Sequence, residues 1–262
     1  MSHLSFTLIQ TKLHWEDKAA NLSMLEQKIK SIEQGKQIVV LPEMFSTGFS
    51  MNPQALAEEM NGTTIQWMKR VAAENKIILT GSVIIKEQNN FYNRLIWMLP
   101  NGDAAFYDKR HLFAFAGEHE HYTAGSKRLI ASVNGWKIQL QVCYDLRFPV
   151  WARQQTTEQP EYDVLIYVAN WPERRKHAWR TLLQARAIEN QCYVIGVNRV
   201  GEDGNGIYHS GNSMLVDAMG EVLYEKEHEE EIHTTVLSKE MLDGIRHKLP
   251  FLKDGDDFSI LS

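Results

Sequence analysis

Three side chains capable of acid–base or nucleophilic work each stand just after a strand-like run: Glu43, Lys109 and Cys143. Glu43 follows Ile38-Val39-Val40-Leu41 and Pro42, with Met44 and Phe45 next. An apolar surround of that kind raises a carboxylate's pKa towards neutrality and suits a general base. Lys109 follows Ala104–Asp108 and lies amongst aromatics in Tyr107-Asp108-Lys109-Arg110-His111-Leu112-Phe113. Fixed positive charge there would hold a developing oxyanion. Cys143 ends the alternating run Lys137–Val142, shares parity with Gln139 and Gln141, and leads into Tyr144-Asp145-Leu146-Arg147-Phe148-Pro149. Pro149 suits the first turn of a helix, and a strand–turn–helix corner exposes a nucleophile while its N–H groups lower the thiol pKa. Taken alone, each has a plainer reading: a solvent-facing glutamate, a surface lysine, a buried structural thiol. Because ligands gather at the carboxyl ends of strands in open α/β sheets, three such ends point to one pocket.

The elements that must position them are short β-rich runs alternating with helical stretches. Leu4–Gln10, Ile38–Leu41, Ile77–Ile85, Phe91–Leu99, Ala104–Asp108 and Lys137–Val142 read as strands. So do Tyr193–Val197, Ser213–Asp217 and Glu221–Tyr224, while the unbroken apolar run Asp163–Ala169 reads as a strand covered on both faces. Asn101-Gly102 marks a hairpin. Helices are predicted over Trp15–Gln34, ended by Gly35, over Thr63–Asn75, with Ile65, Met68 and Val71 at helical spacing, and over His177–Asn190. No repeat or linker interrupts the pattern, so residues 1–262 read as one α/β domain, with 238–262 as a C-terminal extension that wraps the surface or a partner. Periodicity leaves open whether one or two sheets lie inside.

Composition narrows the classes of function. The chain has 262 residues, 44% apolar, enough for a sizeable core. A net charge of −5 gives no reason to expect a nucleic-acid groove or a membrane surface, and any anionic substrate must meet positive charge supplied locally. Two cysteines, Cys143 and Cys192, are too few for a disulfide scaffold and fit a reducing compartment. With no signal peptide or spanning run in view, the expectation is a cytoplasmic protein. Cys192, at a strand start, reads as structural.

No single feature is specific, but the combination is. Leu41-Pro42-Glu43-Met44-Phe45, the lysine segment and Val142-Cys143-Tyr144-Asp145-Leu146-Arg147-Phe148-Pro149 occur in an order and at separations that resemble the nitrilase, or carbon–nitrogen hydrolase, superfamily. Ala169-Asn170-Trp171-Pro172, Ala185-Arg186-Ala187-Ile188-Glu189-Asn190 and Gly211-Asn212-Ser213-Met214 support it, and the similarity runs from Leu4 to about residue 237. The resemblance implies a four-layer α-β-β-α sandwich, paired into a homodimer or higher homo-oligomer, working on a small-molecule amide without metal or cofactor. It makes Glu43 the base, Cys143 the nucleophile, Lys109 the cation facing the tetrahedral intermediate, and the Tyr144 backbone N–H the second oxyanion donor. A further glutamate of the family matches Glu118, with Glu120 as the rival position.

Around these, Phe45, Phe115, Asn170, Trp171 and Arg174 are the candidates for substrate binding; the aromatic ones are equally suited to a core. Arg174-Arg175-Lys176 reads either as solvated charge at a helix start or as attraction for a substrate carboxylate. His111, His119 and His121 match no established zinc spacing. Gly201–Gly206 reads as a turn, and Glu225–Glu231 as a solvated hairpin end. The loops Phe113–His119 and Ala169–Glu173 resemble the bacterial omega-amidases, which implies a terminal carboxamide on a 2-oxo acid as substrate. N-carbamoyl amide hydrolysis, nitrile hydrolysis and a catalytically silent binding protein are the alternatives.

Overall fold

β1 (His3–Gln10) sends Leu4, Phe6 and Leu8 into one core cluster and Ile9 into another, so both of its faces are covered. The next elements are α1 (Lys18–Lys30), β2 (Ile38–Val40), α2 (Pro53–Leu56), α3 (Thr63–Asn75), β3 (Ile78–Glu87), β4 (Asn90–Met98) and β5 (Ala104–Asp108). The second half runs α4 (Glu118–His121), β6 (Leu129–Val133), β7 (Trp136–Val142), α5 (Pro149–Ala152), β8 (Val164–Ala169), α6 (Lys176–Asn190) and β9 (Tyr193–Asn198). It closes with β10 (Val200–Glu202), β11 (Tyr208–Val216), β12 (Val222–Glu227), β13 (Glu231–Ser238) and α7 (Lys239–Lys248). The computed structural model describes residues 2–33, 35, 37–154 and 159–260.

Two sheets form. One has the order β13-β1-β2-β3-β4-β5; the other runs β10-β11-β9-β8-β7-β6, with β12 paired to β11. Their facing surfaces meet in the larger core, through Phe6, Val40 and Trp97 from one sheet and Ile138, Leu140 and Val142 from the other. α1 and α3 cover the outer face of the first sheet, with Leu25, Ile29, Met68 and Val71 packed on Val39 and Leu79. On the other side Trp179 and Leu183 of α6 lie against Gly196 of β9, where a Cβ would fall 2.6 Å from Leu183. The architecture is the α-β-β-α sandwich. Parallel pairing of β1, β2 and β3 in one sheet, and of β7, β8 and β9 in the other, turns the ends of β2, β7 and β8 towards one region.

Several expectations need correction. The first helix is shorter than Trp15–Gln34: Asp17 caps it by accepting from the Ala20 N–H, and it stops at Ser31. Gly35 has the anticipated positive φ but lies beyond the helix end, and Gln34 falls outside the described residues. Three strands escaped the reading, β6, β10 and β13; β11 begins five residues before Ser213. The acidic run is only partly a solvated hairpin end, for Glu225 pairs with Arg180 at 2.7 Å and Glu230 accepts from the Lys12 N–H at 2.8 Å. No helix among the described residues is long and apolar enough to cross a membrane.

Candidate active site

The ends of β2, β5 and β7 bring Glu43, Lys109 and Cys143 together. Glu43 is fully buried, and one oxygen of its carboxylate accepts from Lys109 Nζ at 2.9 Å and Asn93 Nδ2 at 2.8 Å. The other oxygen accepts from the Asn170 backbone N–H at 2.8 Å, while the Asn170 side chain donates to the Glu43 carbonyl at 2.6 Å. Asn170 thus ties the end of β8 in one sheet to the end of β2 in the other. The surround of the carboxylate is therefore polar and charged, not the apolar shell expected from Met44 and Phe45.

Lys109 is shared. Besides Glu43 its ammonium meets Glu118 at 3.0 and 2.9 Å, with the Phe49 ring centroid 5.1 Å away. Burial works to lower its pKa, but Glu118 and Glu43 outweigh burial and hold Lys109 above the ordinary lysine value. Glu118 is itself pushed above the usual carboxylate range by burial, with Glu43 adding and Lys109 opposing. Its second oxygen also accepts from the Phe113 N–H at 2.5 Å, which fastens the pocket-lining segment after Phe113 to the charged floor. Of the two rival glutamates, Glu118 sits in this cluster and Glu120 is exposed.

Cys143 occupies a strained corner with φ of 45°, at the start of a single 3₁₀ turn, Cys143–Arg147, and Pro149 opens α5 as expected. Its sulfur lies beside Glu43, near enough for that carboxylate to act on the thiol. The lowered thiol pKa anticipated from the corner is not found. Burial, and then the Glu43 charge, push it well above the ordinary thiol value, and Lys109 opposes them without prevailing. Asp145, which the sequence reading passed over, fixes this turn. Its carboxylate accepts from the Val142 N–H at 3.0 Å, Tyr107 hydroxyl at 2.7 Å and His111 N–H at 2.9 Å. One buried acid therefore locks the Cys143 turn to the segment that carries Lys109. An acid two residues beyond a candidate nucleophile was the available signal.

Above this floor opens a pocket of about 600 Å³. Of the four charged or nucleophilic groups, Cys143 lines it and is 9% exposed; Glu43, Lys109 and Glu118 lie beneath. Phe115 at 80% exposure, Tyr144, Asn170, Trp171 and Arg174 all reach the pocket, as the sequence suggested. Phe45 does not. Met44 takes a positive φ of 43°, and Phe45 turns into the smaller core against Gly81, its ring 5.9 Å from Trp67. Phe49 and Phe113 supply the aromatic wall instead, and Arg147 and Trp15 were also missed, while Arg175 lines the pocket beside Arg174, its neighbour in the basic run the sequence singled out. Trp15 lies outside α1, which frees it to line the opening. His111 turns to Asp145 rather than to another histidine, with Nδ1 2.8 Å from the carboxylate and its ring stacked on Phe148.

A buried base–thiol pair beside a doubly held ammonium can carry acyl transfer through sulfur. Comparison with known proteins agrees in kind. Residues 6–246 match the model of the carbon–nitrogen hydrolase family. The chain is 45% identical to the omega-amidase YafV of Yersinia enterocolitica, with 100% of both chains covered. It is 31% identical to the 2-oxoglutaramate amidase of Bacillus subtilis, covering 95% of this chain and 96% of that one. Among solved structures it is similar to XC1258 from Xanthomonas campestris, a CN-hydrolase superfamily protein with an arsenic adduct in the active site. The TM-score is 0.97 at 41% identity, with both chains covered in full.

Proposed function

The chain belongs to the carbon–nitrogen hydrolase family, and on that premise we propose that it is an omega-amidase. It hydrolyses the terminal carboxamide of a small 2-oxo acid such as 2-oxoglutaramate, giving the dicarboxylate and ammonia. The observation that carries the chemistry is the buried Glu43 carboxylate, 2.9 Å from the Lys109 ammonium and beside the Cys143 thiol. The full-length similarity to omega-amidase YafV supports the choice of amide.

In this reading Glu43 takes the thiol proton as Cys143 sulfur attacks the amide carbonyl. The oxyanion is met by Lys109 and the Tyr144 backbone N–H. The C–N bond breaks as protonated Glu43 returns the proton to the leaving nitrogen, so ammonia departs and a thioester remains. Glu43 then deprotonates water, which attacks the thioester, releases the acid and restores the thiol. A neutral resting thiol suits this sequence, because the proton leaves only as sulfur attacks. Glu118 holds Lys109 and the Phe113 segment in place; Asn170, Trp171, Phe115 and Arg174 bound the substrate. The enzyme works in the cytoplasm as a homodimer or higher homo-oligomer, a single domain with residues 238–262 as its extension.

Ammonia release from 2-oxoglutaramate tests the reading. The native protein should release it and Cys143→Ala should not; Lys109→Met should lose about 100- to 1000-fold in kcat. Release that survives in Cys143→Ala would overturn the mechanism. Silence on this amide with activity on an N-carbamoyl compound or a nitrile would overturn the substrate.

A further inference from the structure

Trp15 reaches the pocket from the turn between β1 and α1, and its indole rests against two glycines of other loops. A Cβ on Gly204 would fall 2.4 Å from Trp15 Cγ and Cδ1, and one on Gly48 would fall 3.1 Å from Cε3. Gly48 has a φ of +77°, which favours glycine in any case, whereas the backbone of Gly204 makes no such demand. At Gly204 the missing side chain answers to the indole, which occupies the space a Cβ would take. No polar contact fixes the ring. Trp67, Trp136, Trp151, Trp171 and Trp179 each donate their indole N–H to a protein acceptor, and Trp15 has none among the described residues. Shape holds it in place.

The segments around the indole are fastened to one another. The Glu16 N–H donates to the Thr47 carbonyl at 2.8 Å, and the Glu16 carboxylate accepts from the Ser50 hydroxyl at 2.5 Å. Asp203 folds the tip of the β10–β11 hairpin, accepting from the Asn205 and Ile207 N–H groups at 2.8 and 3.0 Å. Beneath that hairpin the buried Arg199 donates to the Val200 and Glu202 carbonyls at 3.2 and 2.9 Å, and the Val200 N–H donates to the Thr11 carbonyl at 3.1 Å. Gly48 follows β2 in one sheet and Gly204 joins two strands of the other, so both sheets back the ring. With both acids engaged in these contacts, Trp15, Phe49, Met51 and Ile207 give this part of the pocket an apolar face. A fixed apolar wall selects by size: in a closely fitting pocket one methylene is worth about 10- to 200-fold in kcat/KM.

We propose that Trp15, seated on Gly204, is the specificity-determining residue that limits the size of the acyl group the site accepts. The inference rests on the amidase reading and deepens it, confining the substrate to the amides of short acids. A longer chain meets the indole, which the two glycine-bearing loops keep from yielding. Removing the ring opens the site to longer acyl chains, and the apolar neighbours left behind favour their methylenes.

The test compares kcat/KM on the monoamides of unbranched dicarboxylic acids with four, five, six and eight carbons. In the native enzyme it should fall about 10-fold or more between the five- and eight-carbon amides. In Trp15→Ala the ratio of eight- over five-carbon amide should rise at least about 10-fold, chiefly through KM. Trp15→Phe, which keeps a ring against the glycines, should lie between and serves if Trp15→Ala does not fold. Equal losses on all four amides would overturn the limit and leave Trp15 a structural role. Gly204→Ala tests the seat: its methyl displaces the indole and should shift the ratio, but should add nothing in Trp15→Ala. An equal shift in both backgrounds would mean that Gly204 does not act through Trp15. A second readout needs no turnover. Alkylation of Cys143 by N-benzyl iodoacetamide, relative to iodoacetamide, should quicken about 10-fold in Trp15→Ala, and a ratio unchanged would overturn the limit. If the native protein fails on every monoamide yet the alkylation ratio shifts, the amidase reading falls and the size limit stands. If it turns the five-carbon amide over and the variants keep its ratios, the size limit falls alone.

Discussion

At Cys143 the physical problem is to make a buried thiol nucleophilic without leaving a buried thiolate. The structure places Glu43 beside the thiol and the Lys109 cation against Glu43, so in the proposed mechanism charge moves within a closed set of groups rather than accumulating on sulfur. This separates two effects of Glu43. Its negative charge adds to burial in raising the thiol pKa, whereas in the proposed mechanism its basicity drives the attack. Glu43→Gln should therefore move the midpoint of the alkylation-versus-pH curve of Cys143 to lower pH while ammonia release falls at least about 100-fold. A midpoint unmoved, or moved upward, would mean that Glu43 does not govern the thiol. Glu43, Lys109 and Cys143 stood out as candidates because each one follows a strand and their order is distinctive, and the structure brings the three together. Phe45 was misread because a single positive φ at Met44 reverses which side the next residue faces, and nothing in a side-chain pattern announces that. Asp145 and Arg147 were overlooked for a different reason: inside a 3₁₀ turn neither strand nor helix periodicity applies, so their directions were not readable.

Between α1 and α3 a single carboxylate does most of the polar work. Glu26 accepts from Trp67 Nε1 at 3.0 Å, from Arg70 at 2.5 and 3.1 Å and from Lys30 at 2.7 Å. Arg70 first, then Lys30, lower its pKa from 4.5 to about 2. A carboxylate depressed in the folded state adds stability above its unfolded value, and that stability is lost as pH falls from about 4.5 towards 2. Glu26→Gln should accordingly cost about 1 kcal/mol in urea unfolding at pH 7, a modest figure because the network is solvent-accessible. The difference from the native protein should shrink steadily below pH 4.5. A constant difference across that range would assign the loss to packing with Trp67. The helices themselves could be read from apolar spacing, as Thr63–Asn75 was to the residue. Helix ends depend on capping contacts, here Asp17 on the Ala20 N–H, which overruled a pattern extending three residues too far on the N-terminal side. Of the strands that escaped, β10 has only three residues, and β13 carries His233, Thr234 and Thr235 and has no unbroken alternation to show.

For the molecule as a whole, the pairing of β13 with β1 from His3 opposite Ser238 to Gln10 opposite Glu231 joins the two ends of the domain. Such a pairing spans more than two hundred residues, so the number of sheets could not be read from local periodicity. It also sets where the last segment must go. α7 starts at Ser238, whose hydroxyl caps it, buries Leu242 in the larger core and is pinned through Asp163 at the start of β8. One oxygen of Asp163 receives Lys239 Nζ and Arg246 Nη1, each at 2.8 Å, and the other accepts from the Lys137 N–H at 3.0 Å. Arg246 also donates to the Tyr162 and Gln191 carbonyls, at 2.8 Å each. The extension beyond 238 therefore holds its own subunit's second sheet as well as continuing from the first. Removing Asp163 leaves Arg246 over a largely buried site without its acid and Lys239 with only the exposed Asp243 at 3.0 Å, a situation that costs more than the pair itself contributes. Asp163→Ala should lower the unfolding free energy by about 3 kcal/mol, the partial exposure of Lys239 keeping it at the lower end for a broken buried pair. Lys239→Met in the same background should recover part of the loss, since Arg246 then no longer faces a second cation. Tryptic cleavage near Lys248 should quicken in Asp163→Ala alone, reporting release of α7 before global unfolding. If the single variant loses less than about 1 kcal/mol and cleavage is unchanged, Leu242 and the cap at Ser238 hold the helix without the ion cluster.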